Sequence, residues 1–427
     1  MKWIERSFSW RKATGLFIVA VLFFLVGARW GGMLFGRTTP RLAGRAARPG
    51  LEKQAGSPGA SSQLRPMPGE FKPQSGLILG CSELLENEPK ILVDVIRATH
   101  RDIPVIGLVR CPKERMMGAQ LLERNGLPDD AVRFVVLPVE GPWVRDYGPL
   151  FIQQTNGAVH VADGQLPLKD EGAGARHRCE DEAPGEFAKA MGLPVRPVPM
   201  FLVGGNLLSN GDGLCLSTTR LALYNRLLGH DPNEIGPLLQ KHLGFKSWLC
   251  VAPLAREKTG HVDMFVTFTA PNVAVVGQIA PSEDPENARR LDETARALQR
   301  RQTSLGPIQV HRVPMSRTPG GYWRTYTNVV FANGTLLVPT YTGAAPGERD
   351  EVLLLYARLL SGWKIVGVCS DTLASHSGGL HCITRNVPAY VPAEALRRLS
   401  NGHRRRAPDT GTGLPLGIGQ IVPFGLR

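Results

Sequence analysis

From about residue 71 onward, short apolar runs alternate with stretches of helical period, and the alternation repeats. His261 to Thr269 (HVDMFVTFT) reads as a strand, Ala270-Pro271-Asn272 as a turn, and Val273 to Ile279 (VAVVGQI) as the returning strand. A helix is predicted from about Asp284 to Arg301, then a strand at Ile308 to Val313. The order recurs about 65 residues later. Tyr326 to Ala332 and Thr335 to Tyr341 flank Asn333-Gly334, a strong hairpin signal. Glu348 to Leu360 follows as a helix and Lys364 to Cys369 as a strand. Upstream, Leu77 to Cys81 and Ile103 to Val109 read as strands around a helix near Leu84 to Thr99, and Val132 to Leu137 as another strand. Leu150 to Gln153 and Ala158 to Ala162 form a hairpin at Asn156-Gly157, and Leu207 to Thr218 turns at Asn210 to Gly213. Four or five such units closed in a ring would make one pseudo-symmetric α/β propeller. An ordinary open α/β sheet fits the periodicity as well.

The amino terminus breaks this pattern. Ala13 to Ala28 is an uninterrupted apolar run preceded by Lys2, Arg6, Arg11 and Lys12, the arrangement of a secretory signal or a signal anchor. Extension to Phe35 gives about 20 residues, enough for a spanning helix, with Trp3 and Trp30 suited to the two interfaces. The expectation is a single transmembrane or signal helix within residues 1–36, with a cleaved signal and a buried helix as alternatives. Residues 37–69, rich in Arg, Pro, Gly and Ser, read as a flexible linker. A catalytic domain at 70–395 and an irregular basic tail at 396–427 complete the division. The protein is accordingly expected to be membrane-anchored, with its catalytic domain extracytoplasmic, or exported after cleavage.

The formal charge of +13 changes the picture little once it is located. Residues 1–70 carry +8 and residues 391–427 carry +4, so the middle is nearly neutral. It shows no basic stripe interleaved with aromatics, which argues against a nucleic-acid partner. The seven cysteines are scattered, odd in number and without a CxxC pair, which argues against a disulfide framework or a zinc site.

The candidate chemistry is a thiol, an imidazole and two carboxylates. Cys382 lies in SGGLHCITRN (Ser377 to Asn386), just after a Gly-Gly pair that permits close backbone approach. His261 and Asp263 belong to TGHVD, and alternation along a strand would put both on one face. The adjoining His381 would point the opposite way in an extended segment, which leaves His261 as the acid/base candidate. Asp146 lies in WVRDYGP (Trp143 to Pro149), where a carboxylate beside an indole can grip the edge of a guanidinium while the ring covers its face. Taken singly, each feature has a plain structural explanation: a satisfied core histidine, a turn with an ion pair, a buried thiol.

Together, WVRDYGP, VGGN followed by NGDG (Val203 to Gly213), TGHVD, YTN (Tyr326 to Asn328) and GGLHCITRN resemble the agmatine deiminase and bacterial peptidyl-arginine deiminase family of guanidino-group-modifying enzymes. The resemblance runs from MPGEFKPQSG (Met67 to Gly76) to near Pro388. It implies a five-module pseudo-symmetric α/β propeller (pentein-like) that works without a metal or organic cofactor. It implies Cys382 as nucleophile, His261 as general acid/base, and Asp146 and Asp263 as carboxylates holding the guanidinium. Trp143, Asn328 and Asn206 become candidate substrate-binding residues. The substrate would be a small guanidino compound or an arginine-containing peptide. Val203 stands where agmatine deiminases carry Glu, which favours peptidyl or free arginine. An inactive guanidino-binding protein, an amidinotransferase on the same fold and another Cys–His hydrolase are the alternatives.

Overall fold

The apolar runs become strands of a recurring unit: a hairpin, a helical crossover and a parallel third strand. The computed structural model describes residues 64–139, 141–167, 174–318 and 320–401, all within one compact unit, Pro58–Arg427. Strands β1 (Gln74–Gly80), β2 (Val105–Val109) and β3 (Arg133–Val136) lie parallel, joined by the helices Pro89–Thr99 and Pro112–Arg124. β4 (Leu150–Gln153) and β5 (Val159–Gln165) form a hairpin, and β6 (Val195–Phe201) returns parallel to β5 after the helix Gly174–Met191. β7 (Leu208–Ser209), β8 (Leu214–Thr218) and β9 (Ser247–Val251) repeat that order.

β10 (Val266–Ala270) and β11 (Val273–Gln278) form the next hairpin. Its crossover holds the helix Pro285–Gln299 and a small ribbon of β12 (Gln302–Thr303) and β13 (Gly306–Pro307). β14 (Gln309–Arg317) then returns parallel to β11, and β15 (Trp323–Thr325) extends the sheet. β16 (Val330–Ala332), β17 (Thr335–Thr340) and β18 (Lys364–Cys369) make the same unit with the helix Glu348–Leu359. Finally β19 (Thr384–Pro388) pairs antiparallel with β1, so the last strand completes the first sheet. The hairpin–helix–strand order expected at 261–313 and 326–369 is therefore present, and three other sheets among the described residues share its pairing.

Local chemistry accounts for these elements. β1, β2, β8 and β17 are buried along nearly their whole length, because a strand covered on both faces needs a continuous apolar run. Pro89, Pro112 and Pro285 stand in the first turn of their helices, where a missing N–H costs nothing. The Asp284 side chain caps the last of these by accepting the Asn287 N–H at 3.1 Å. Asn333 and Gly334 both adopt positive φ, 43° and 94°, as the tight hairpin between β16 and β17 demands.

Several expectations are corrected. His261 to Phe265 is not strand: Val262–Met264 is a 3-10 turn and β10 begins at Val266. The Glu257 carboxylate accepts the backbone N–H groups of Thr259 and Gly260, and Gly260 takes φ +67°, so the backbone is bent before it can extend. Residues 326–329 form a loop between β15 and β16. The helix expected over Leu84 to Thr99 is interrupted before Pro89, which disfavours helical backbone at Glu88.

The membrane placement is also withdrawn. Among the described residues no helix is long and apolar enough to cross a membrane. Residues 1–36, most of the expected linker (37–63 of 37–69) and most of the expected tail (402–427 of 396–427) lie outside the described residues, and residues 396–401 belong to the helix Ala393–Asn401, not to an irregular tail.

Candidate active site

Three separate turns meet around Gly205. The first is the one-turn helix Val144–Tyr147, anchored by the Tyr147 hydroxyl, which donates to the Gly141 carbonyl at 2.7 Å. Its Arg145 N–H donates to the Cys382 carbonyl at 3.1 Å, tying it to the second turn, Leu380 to Ile383, just before β19. The third is the 3-10 turn that carries Asp263, with His261 at its start. A Cβ placed on Gly205 would come within 2.7 Å of His261 Nδ1, 3.0 Å of Asp146 Oδ1 and 3.1 Å of Asp263 Oδ2. Only a residue without a side chain lets these three groups converge.

The polar atoms at this point are unevenly satisfied. Asp146 Oδ1 lies 3.5 Å from His261 Nδ1 and accepts the Gly205 N–H at 3.4 Å. Asp263 is 1 % exposed. Its Oδ2 is 2.8 Å from His381 Nδ1, whereas its Oδ1 is buried with no hydrogen-bond partner. A buried carboxylate oxygen left bare is costly unless a donor arrives to meet it. A planar cation with several N–H groups is such a donor.

Cys382 is half-buried beside this acidic pair. Burial, then the charges of Asp263 and Asp146, push its thiol well above the ordinary range, against weaker help from the Gly379 backbone and the Asn328 side chain. Asn328 fixes the turn on which the thiol stands. Its Oδ1 accepts the His381 N–H at 2.9 Å, its Nδ2 donates to the Asp263 carbonyl at 3.3 Å, and the two atoms lie 3.8 and 3.7 Å from Sγ. A Cβ on Gly379 would meet Asn328 Oδ1 at 2.2 Å, and one on Gly378 would meet the Trp143 ring at 2.3 Å. The Gly-Gly pair is thus needed on both sides.

Of the seven residues singled out in the sequence, His261, Asp146 and Asp263 converge directly. Cys382 and Asn328 adjoin them, and Trp143 packs on Gly378. Asn206 takes a different place: its Oδ1 accepts the Thr218 N–H at 2.9 Å, and Thr218 Oγ1 donates to the Gly260 carbonyl at 2.6 Å. Asn206 therefore braces the turn that holds His261.

The structure also assembles a buried charge network that sequence reasoning missed. His381 does not point away, because residues 380–383 form a turn. Its Nε2 lies 2.8 Å from Glu70 Oε2, opposite the Asp263 contact. Glu70 Oε1 pairs with Arg145, whose Nη2 donates to Asn386 Oδ1 at 2.8 Å and whose Nε donates to the His381 carbonyl at 3.2 Å. Burial and the Arg145 charge both push the His381 pKa down, but Glu70 and Asp263 more than offset them and raise it. Against the cost of burial, Arg145 and His381 hold the Glu70 carboxyl well below the usual carboxylate range. The one signal available was the position of Glu70 in the MPGEFKPQSG stretch. Its partners are 75 and 311 residues away, which no local pattern reveals. Among the described residues no group of three His, Cys, Asp or Glu side chains is arranged to hold a metal ion.

The model of the Porphyromonas-type peptidyl-arginine deiminase family matches residues 66–388. The chain belongs to this family. With it the chain joins the hydrolases that act on guanidino groups. An agmatine deiminase from Stutzerimonas stutzeri is 26% identical over 299 residues, covering 63% of this chain and 80% of the relative. Two solved structures share the fold. A Porphyromonas gingivalis protein assigned as an arginine deiminase superposes with TM-score 0.65 at 22% identity, covering 77% of this chain and 98% of its own. Agmatine deiminase of Enterococcus faecalis gives TM-score 0.64 at 20% identity, covering 76% and 96%. The family match spans all five motifs, from WVRDYGP to GGLHCITRN, and includes Glu70.

Proposed function

We propose that the protein hydrolyses the guanidinium of arginine, free or within a peptide, to a ureido group and ammonia through a covalent intermediate on Cys382. The observation that carries this reading is the bare, buried Oδ1 of Asp263 beside the half-buried thiol. A guanidinium seated there offers N–H donors to Asp263 and Asp146 and presents its central carbon to Sγ. The five sheets with one pairing order are read as modules of a closed propeller whose turns meet at this seat.

The chemistry needs the substrate's own charge. In the empty site two carboxylates keep the thiol protonated. A bound guanidinium cancels their field, lowers the thiol pKa and so favours the nucleophilic form as attack becomes possible. Sγ adds to the guanidinium carbon, and His261 donates a proton to the departing nitrogen, which leaves as ammonia. The resulting S-alkyl thiouronium is attacked by water, whose proton passes to His261. Collapse breaks the C–S bond, returns the thiolate and releases the ureido product. Trp143 and Asn328 line the approach to the thiol. Val203, beside Gly204, supplies no second acid for a distal amine, which supports arginine over agmatine.

Purified protein mixed separately with agmatine, arginine and an arginine-containing peptide tests the reading. Ammonia release is expected from arginine or the peptide, and Cys382→Ala should abolish it. Unchanged turnover in that variant, or no ammonia from any of the three, would overturn the proposal.

A further inference from the structure

Glu70 lies across the His381 imidazole from Asp263, at the far end of a chain that reaches the seat. Glu70 Oε2 is 2.8 Å from His381 Nε2, and His381 Nδ1 is 2.8 Å from Asp263 Oδ2. An ionised carboxylate only accepts, so each ring nitrogen must carry a proton to make both bonds. A neutral ring would aim a lone pair at one of the two oxygens. Glu70 stays an acceptor because its other oxygen pairs with Arg145. His381, 3% exposed, is therefore a buried imidazolium between two anions.

Glu70 is itself fixed by a closed circuit of hydrogen bonds. Its carbonyl accepts from Gln74 Nε2 at 2.5 Å, and Gln74 Oε1 accepts from Asn386 Nδ2 at 2.9 Å. Asn386 Oδ1 accepts from Arg145 Nη2 at 2.8 Å, and Arg145 Nη1 returns to Glu70 Oε1. Gln74, Asn386 and Arg145 are all buried. The charged and titratable groups around the ring are Glu70 from the segment before β1, Asp263 from the 3-10 turn and Arg145 from the one-turn helix. Cys382 and Arg385 follow the ring in sequence. Arg145 opposes the imidazolium, and the two anions outweigh it.

We propose that Glu70 is a positioning residue for the reaction: by holding His381 as an imidazolium it ties up Oδ2 of Asp263 and leaves the bare Oδ1 aimed at the substrate guanidinium. This role rests on the guanidinium seat proposed above. The same cation offsets part of the negative charge that keeps the Cys382 thiol protonated. In Glu70→Gln an amide of nearly equal size can donate to Nε2, which favours a neutral ring with its proton on Nδ1. Asp263 then keeps a hydrogen bond but loses a charge-assisted one, and Oδ1 is held less firmly.

Nitrogen-15 labelling of histidine in the full chain tests the protonation without substrate. At about pH 8 an unperturbed imidazole, with its pKa near 6.5, is almost wholly neutral. One of the ten histidines should nevertheless show both ring nitrogens protonated in the wild type and lose that signature in Glu70→Gln. The activity arm uses whichever of the three guanidino substrates is turned over, well below the Tm of the variant. The wild-type to Glu70→Gln ratio of kcat/KM should grow about 10-fold from about pH 6 to about pH 8, as the variant's ring loses its proton. A merely structural role leaves that ratio flat. A wild type without a doubly protonated histidine, survival of the signature in Glu70→Gln, or a flat ratio would each overturn the proposal. Should Glu70→Gln fail to fold, Glu70→Asp, which withdraws the charge by one methylene, takes its place with the same directions expected. An active wild type lacking the signature sinks this inference alone; a wild type inactive on all three substrates sinks the function proposed above together with this role.

Discussion

Asp146→Asn is expected to make Cys382 more reactive toward a simple electrophile while making the enzyme worse. Asparagine keeps the size of the side chain and can still accept the Gly205 N–H, so the turn is retained. What it removes is one of two negative charges that hold the thiol protonated. A unit charge at roughly 4–6 Å in surroundings of effective dielectric about 20 acts with ~3–4 kcal/mol. The Asp146 side chain is 13% exposed, and solvent screening brings this to about 2 kcal/mol, a factor of ~30 in the ionisation equilibrium of the thiol. Below both pKa values the thiolate fraction therefore rises ~30-fold. A less basic thiolate is a weaker nucleophile, and that ~30-fold change at a Brønsted slope of about 0.45 takes back ~5-fold. Alkylation of Cys382 by iodoacetamide near pH 7.5 should then be roughly 5- to 10-fold faster than in wild type. Ammonia release should fall by about 100-fold or more, because a charged partner of the guanidinium is gone. Peptide mapping by mass spectrometry separates Cys382 from the other cysteines, and circular dichroism checks the fold. Slower or unchanged alkylation in a folded variant would refute the view that the Asp146 charge controls the thiol.

Three further outcomes follow from the same geometry. Gly205→Ala should abolish turnover and cost about 1–3 kcal/mol of stability, since its Cβ would intrude on His261 and both aspartates; an active variant in the ammonia assay would contradict the seat assigned to the guanidinium. Glu70→Gln removes the charge from a partly exposed carboxylate that meets two buried cations and should destabilise the fold by ~2–3 kcal/mol in denaturant titration, and a loss well below 1 kcal/mol would show that the network is not structural. In wild type the lowered Glu70 pKa contributes stability above the unfolded carboxyl value near 4.5, lost as pH falls toward the folded value. The raised His381 pKa contributes stability fully present below about 6.5 and lost as pH rises through its folded value. Tm should accordingly decline on both sides of the mildly acidic range, and Glu70→Gln should flatten the acid limb; an unaltered acid limb counts against the Glu70 assignment.

Much of the fold was legible because its strands and helices advertise themselves locally. β4 was placed at its observed bounds, and the helices Pro285–Gln299 and Glu348–Leu359 were read to within a residue or two, because apolar period and flanking Pro or Gly are properties of neighbouring residues. The site motifs were legible for a related reason. Asp146, Asp263 and Cys382 each sit next to glycines or turns whose backbone needs leave a mark in the sequence. The strand assigned to His261 and Asp263 failed because side-chain bonds from Glu257 and Thr259 outcompeted the β pattern of HVDMFV. His381 was discounted on the assumption of extended backbone, and the turn at 380–383 reversed that reading.

From the sequence alone came the α/β class, the residues available for chemistry and the family they resemble, since spacing and residue type suffice for those. The tertiary structure alone decided which groups are left unsatisfied. Whether Asp263 Oδ1 is bare and whether Glu70 sits across from His381 depend on packing between turns up to 311 residues apart. The physical reason is that a local pattern reflects backbone preference, whereas the cost of a buried charge is set by every group packed around it.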